Sequence, residues 1–247
     1  MIFLTYHAIA DSEPKPGELF TVSVAALREH ISRVHQRGFE PGNVGDLTSG
    51  RSGARSFFIT FDDGTIDHFK IVAPILESHG LRGIFFVPTE KLGLPGRLER
   101  HQVKDLHDRG HEIGCHSHEH RRLDRMSANE IADQLERSCN LLGEITGQRP
   151  RILAPPGGYT NGRVRAACAN AGMRALRTMK WGLNKKANFF DLETIALHRD
   201  FPIARFEKII DGRGLWRLRA TYVGKQMLKS LLPIGLYEHA RNFVFRK

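Results

Sequence analysis

Seven short apolar runs, separated by stretches of helical periodicity, constrain this chain more than any other feature. The runs fall at Ile2–Tyr6, Phe57–Phe61, Gly83–Val87, Glu112–Cys115, Ile152–Ala154, Ala175–Thr178 and Ile195–Leu197. Short apolar runs alternating with amphipathic helices predict βα units and a largely parallel sheet, its strands buried on both faces. One helix is expected to start at Ser23, to place Leu27, Ile31 and Val34 on one face and to stop at Gly38. A second opens on Ser127-Ala-Asn-Glu130, a capping box, and runs through Ile131, Leu135 and Leu142 to Gly147 and Pro150. A third spans about Asn161 to Gly172, while Thr48–Arg55 reads as an exposed loop. Seven strands with intervening helices predict an α/β barrel, distorted or incomplete, although periodicity by itself does not separate a barrel from an open sheet. A chain of 247 residues suits a single barrel domain.

The net charge of +10 suggests nucleic acid at first sight, but its distribution argues otherwise. Residues 204–247 carry ten Lys or Arg against three Asp or Glu; the other 203 residues carry 27 against 24. The expected organisation is therefore a barrel domain over 1–203 and a basic, partly apolar extension over 204–247. Lys and Arg interleaved with Leu, Ile, Met, Trp and Phe suit peripheral contact with anionic headgroups. A terminal helix packed on the barrel with a solvated basic face is the competing reading. No nucleic-acid partner is expected, since no binding module is recognisable. Cys115, Cys139 and Cys168 have neither a disulfide framework nor metal-finger spacing. With no basic leader and no run of eighteen apolar residues, the expected location is cytoplasmic, at or near the inner face of the membrane.

In parallel α/β folds reactive groups collect at the C-terminal ends of strands, and three segments lie there. Thr60-Phe61-Asp62-Asp63-Gly64 ends the second run. Asp-Asp-Gly alone often makes a capped turn. At a strand end, however, neighbouring carboxylates diverge, so one can bind a metal while the other accepts a proton. Six of the thirteen histidines lie between His101 and His120. His116 and His120, four apart, can converge on one ion if the backbone turns helically. His118 should then point elsewhere, and Ser117 can brace the loop. Two imidazoles and a carboxylate make a site for a divalent ion with open positions. Ala154-Pro155-Pro156-Gly157-Gly158-Tyr159 follows the fifth run. It is either a plain strand-to-helix loop or one whose backbone N–H groups approach an oxyanion.

In this order the three segments resemble the NodB-homology polysaccharide deacetylases, carbohydrate esterase family four. Thr60–Gly64 is similar to that family's first motif, and His116-Ser-His-Glu-His120 to its His-Ser/Thr-x-x-His second motif. Leu4-Thr5-Tyr6-His7, Ala73–Leu76, Ile84–Val87 and Gly110–Ile113 resemble the subgroup with an N-terminal Tyr-His strand; the likeness extends over roughly residues 1–200. The resemblance implies a distorted (β/α)7 barrel that removes N-acetyl groups from amino sugars. It implies Asp62 as the base and Asp63, His116 and His120 as ligands of one divalent metal, zinc first, with Co, Ni, Mn or Fe as alternatives. It also implies Pro156, Gly157 and Gly158 as the oxyanion and substrate loop. The chain departs from the pattern where Ala154 replaces the arginine that orients the base. The late Leu-x-His motif supplying the general acid has no clear match, leaving His198 and His7 as candidates. The expected partner is an N-acetylated sugar, glycan or glycan precursor, lipid- or nucleotide-linked. The alternatives are a deformylase on a lipid-linked amino sugar and a degenerate sugar-binding or regulatory member.

Overall fold

The chain alternates strands and helices as its apolar runs require, in a computed structural model that describes residues 1–14, 17–185, 188–216 and 219–220. The strands are β1 (Ile2–Tyr6), β2 (Ala8–Ala10), β3 (Thr21–Ser23), β4 (Glu40–Pro41), β5 (Ser56–Phe61), β6 (Gly83–Val87), β7 (Glu112–Cys115), β8 (Ile152–Leu153), β9 (Ala175–Trp181) and β10 (Leu192–Ala196). The helices are α1 (Val24–Gln36), α2 (Val44–Thr48), α3 (Ala73–Ser78), α4 (Arg100–Asp108), α5 (Ala128–Thr146), α6 (Gly162–Asn170) and α7 (Ile203–Ile210). Strands β1, β5, β6, β7, β8, β9 and β10 pair in parallel in that order, and β10 returns to β1. The barrel is thus closed. Its distortion is local: β9 and β10 slip register between Leu192 and Thr194, and no helix lies between them among the described residues.

The two-residue period of each strand sorts its side chains into two cores. Ile2, Leu4, Tyr6, Phe57, Ile59, Phe61 and Phe85 face outward and are covered by Leu27, Ile31 and Val34 of α1 and by the other helices. Phe3, Phe58, Ile84, Phe86, Ile152, Ala154 and Ala175 face inward, with Phe3 and Phe58 stacked 4.6 Å apart. Val44 and Leu47 of α2 join this inner cluster beside Met1. Fully burying one such side chain stabilises the fold by roughly 1.5–3 kcal/mol. Gly114 occupies an inward position because a Cβ there would strike the Phe86 ring. Farther along the same strands Thr5 hydrogen-bonds Thr60 (2.8 Å) and Thr194 (2.6 Å), a polar layer across the inside of the barrel. Continuing the alternation one step past each strand brings His7, Asp62 and His116 to the barrel mouth.

Local signals account for the helix ends. Ser23 caps α1 by accepting from the Ala26 N–H. Ser127 and Glu130 bond each other's backbone N–H groups at the start of α5, and Gly147 ends it in the left-handed region. Asn161 caps α6. Helix α7 straddles the expected boundary at 203/204 and buries Phe206, Ile209 and Ile210 in the outer core, with Phe206 against His30 of α1. Residues 217–218 and 221–247 of the extension lie outside the described residues, and with them most of the segment expected to meet a membrane. Among the described residues no helix is long and apolar enough to cross a membrane. The three cysteines are buried and free.

Candidate metal centre and active site

Asp63, His116 and His120 come together at the mouth, each offering one ligand atom within 4.8 Å of the others. The Nε2 atoms of His116 and His120 lie 3.3 and 2.8 Å from the same Asp63 oxygen, Oδ1. The convergence is not helical, contrary to the expectation from the i,i+4 spacing. Residues 116–120 form an irregular loop in which Ser117 (φ 61°) and His120 (φ 62°) take left-handed conformations; Asp63 (φ 75°) does so across the site. These three are the only non-glycine residues with positive φ among the described residues, and each such conformation costs on the order of 1–3 kcal/mol. The strain is concentrated on two of the three candidate ligands, Asp63 and His120, and on Ser117, which follows the third. Ser117 holds the turn by accepting from the His120 N–H (3.2 Å). His118 turns away to Thr89 (2.8 Å) and Arg137 (2.7 Å).

The surroundings fit a divalent ion. His116 Nδ1 donates to the Ala154 carbonyl (2.6 Å), which fixes the tautomer that leaves Nε2 as an acceptor for metal. The Asp63 backbone is held by Arg97, which donates to its carbonyl (2.8 Å). Burial opposes charge on Asp63, yet hydrogen bonds from His116 and His120 hold its carboxyl far below the usual carboxylate range. Burial likewise opposes protonation of His116, but Asp63 and then Asp62 outweigh it and raise the imidazole. A pocket in which two carboxylates draw protons onto a buried imidazole is a pocket that attracts a cation.

Asp62 is 4% exposed, and its Oδ1 accepts from Arg177, itself 1% exposed, on the inner face of β9. Burial alone would raise the Asp62 carboxyl; Arg177 first, then His116 and His7, reverse that and lower it. The absence of an arginine at Ala154 therefore does not leave Asp62 without a cationic partner. Sequence patterning alone does not single out Arg177. The available signal was a lone arginine inside the otherwise apolar run Ala175-Leu-Arg-Thr178.

Of the two candidate acids, His7 shares the field of Asp62, Asp63, Arg177 and His116, although burial dominates and lowers its pKa. Its backbone carbonyl accepts from His68 Nε2 (2.6 Å), and its ring packs on Phe20 (5.0 Å). His198 follows β10 and packs edge-on against Phe201 (5.3 Å). In the loop after β8, Gly157 and Gly158 both have positive φ, and a Cβ on Gly158 would collide with the Met179 backbone. Pro156 has no N–H, and the Gly158 N–H is committed to Pro155 (2.7 Å). This leaves Gly157 as the amide of that segment suited to an oxyanion.

The profile of the family described as polysaccharide deacetylase matches residues 49–176. The Bacillus subtilis protein YxkH is 23% identical over 201 residues, covering 79% of this chain and 69% of that one. The peptidoglycan-N-acetylglucosamine deacetylase PgdA of Listeria monocytogenes is 30% identical over 108 residues, 43% of this chain and 22% of its own length. Among solved structures, the Streptococcus pyogenes deacetylase PplD in complex with acetate superposes with a TM-score of 0.75 at 19% identity, over 85% of this chain and 97% of that one. At that identity the likeness concerns the fold.

Proposed function

The chain belongs to the polysaccharide deacetylase family, hydrolases of carbon–nitrogen bonds other than peptide bonds, and from that premise we propose that it removes the N-acetyl group of an amino sugar with the help of one divalent metal ion. The observation that carries this reading is the meeting of His116 Nε2 and His120 Nε2 on one Asp63 oxygen, with the ionised Asp62 beside them. When bound at these three residues, a divalent ion, zinc by its preference for nitrogen and oxygen ligands in such a set, supplies Lewis acidity and acidifies water at neutral pH. Asp62, kept ionised by Arg177, accepts the proton of the attacking water. His7 is the proton donor to the leaving amine. The Gly157 N–H meets the developing oxyanion, a contact that tightens as charge builds on oxygen.

The substrate in this reading is an N-acetylhexosamine within a glycan or glycan precursor, consistent with the relative named for peptidoglycan N-acetylglucosamine. The basic, apolar composition of 204–247 supports a carrier-linked precursor at the inner face of the membrane. Flotation on anionic and neutral liposomes tests that placement: the full chain should float only with anionic lipid, and failure to float with either removes the membrane from the account. Acetate release from free, nucleotide-linked and lipid-linked N-acetylhexosamines by metal-loaded protein tests the reaction itself. A formyl substrate run alongside separates deacetylation from deformylation.

A further inference from the structure

We infer that Arg177 is the positioning residue that aims Asp62 at its proton, and that it does so from β9 in place of an arginine at the position now held by Ala154. The inference rests on the deacetylase reading above. Strands β8 and β9 pair Ile152 with Ala175 and Leu153 with Leu176, so the next step sets Ala154 beside Arg177. Ala154 belongs to the inner cluster, and Arg177 lies over the Phe86 ring of the same cluster (5.0 Å). Replacing the end of one strand's side chain by a methyl group leaves room that the neighbouring strand's arginine fills. The charge has moved one strand sideways at the same height in the barrel.

Stability does not account for this pair. A buried ion pair is often no better than apolar side chains of equal volume, whereas removing one partner strands the other charge. One terminal nitrogen of the arginine bonds Asp62, the other reaches the Met179 sulfur (3.0 Å), and Nε has no hydrogen-bond partner among the described residues. What aim requires is the bond to Asp62, and that bond is made. The planar guanidinium suits the task, since it fixes the direction of the carboxylate as well as its charge.

The test uses full-length, metal-loaded protein and N-acetylglucosamine oligomers. Arg177→Met should keep metal stoichiometry and KM within about threefold while lowering kcat about a hundredfold, the scale of a misplaced catalytic group. Adding Ala154→Arg to that variant should recover at least about tenfold in kcat, which a merely structural arginine would not do. A kcat within threefold of wild type in Arg177→Met, or a loss that Ala154→Arg leaves untouched, overturns the inference. Melting temperature gives a readout independent of turnover. Arg177→Met should melt about 10 °C below wild type, and Asp62→Asn/Arg177→Met should regain most of that, because the stranded charge is gone. If wild type releases no acetate from any oligomer, the deacetylase reading fails; the melting cycle still decides the pairing, and equal melting of the single and double variants refutes it.

Discussion

His30 should make this protein lose stability in mild acid, through a single imidazole between the barrel and α7. The ring lies at 3% exposure, with Nδ1 3.1 Å from the Tyr6 hydroxyl and its face against Phe206 of α7. Burial lowers its pKa to about 4, with Glu29 acting only weakly the other way. In the unfolded chain the imidazole titrates near about 6.5. Between those values the unfolded state binds more protons than the folded one, so stability falls as pH falls. The contribution is fully present above about pH 6.5 and lost by about pH 4. A gap of roughly 2.5 pH units at 1.36 kcal/mol each amounts to about 3 kcal/mol, or on the order of 10 °C in melting temperature for a chain of this size. His30→Gln keeps an acceptor for Tyr6 and removes the titration. Urea unfolding at pH 7.5, 6, 5 and 4.5 should show wild type converging on the variant as pH falls, which separates His30 from carboxylates that titrate in both proteins. Parallel curves, whose separation changes by less than about 0.5 kcal/mol across that range, would rule out His30 as the titrating group.

Other expectations follow from the same geometry. Adding Zn2+ to metal-free protein at a hundred times Kd should raise stability by about 2.7 kcal/mol, and His120→Ala should abolish that shift in a thermal melt. Gly158→Ala should destabilise by more than about 1 kcal/mol, since its left-handed φ and the Met179 backbone both oppose a Cβ; denaturant titration reads this directly. His7→Gln should lower kcat by about 10²-fold or more while His198→Gln changes it little, and equal losses would withdraw the assignment of His7 as proton donor.

Much of this architecture is legible in the sequence. Buried parallel strands leave continuous apolar runs, so all seven barrel strands are visible, three of them to the residue. Caps carry their own side-chain chemistry, and Ser23, Ser127 and Asn161 sit where their oxygens meet free N–H groups. The candidate metal ligands are legible because Asp63 and the His116–His120 pair follow strands, and the C-terminal ends of parallel strands share one mouth. The hidden elements are those decided by tertiary contact. Short α2, α3 and α4 offer too little periodicity, and among the described residues β2 and β3 pair only with each other, through three residues apiece. The way His116 and His120 converge was also hidden, because spacing does not encode the left-handed turns at Ser117 and His120. Arg177 was hidden for a third reason. A strand of alternating faces reveals that an arginine will be buried, but its partner is set by strand order around the barrel, which brings β9 opposite Asp62 at the end of β5.

On that carboxylate rests the proposed metal-assisted reaction, in which Asp62 takes the proton and Asp63 holds the ion. The direct measurement is acetate release together with bound metal, for wild type and Asp62→Asn loaded side by side. Both should hold one equivalent of metal, wild type should release acetate, and the variant should lose at least about a hundredfold. Asp62→Asn releasing acetate at the wild-type rate with metal bound would contradict it.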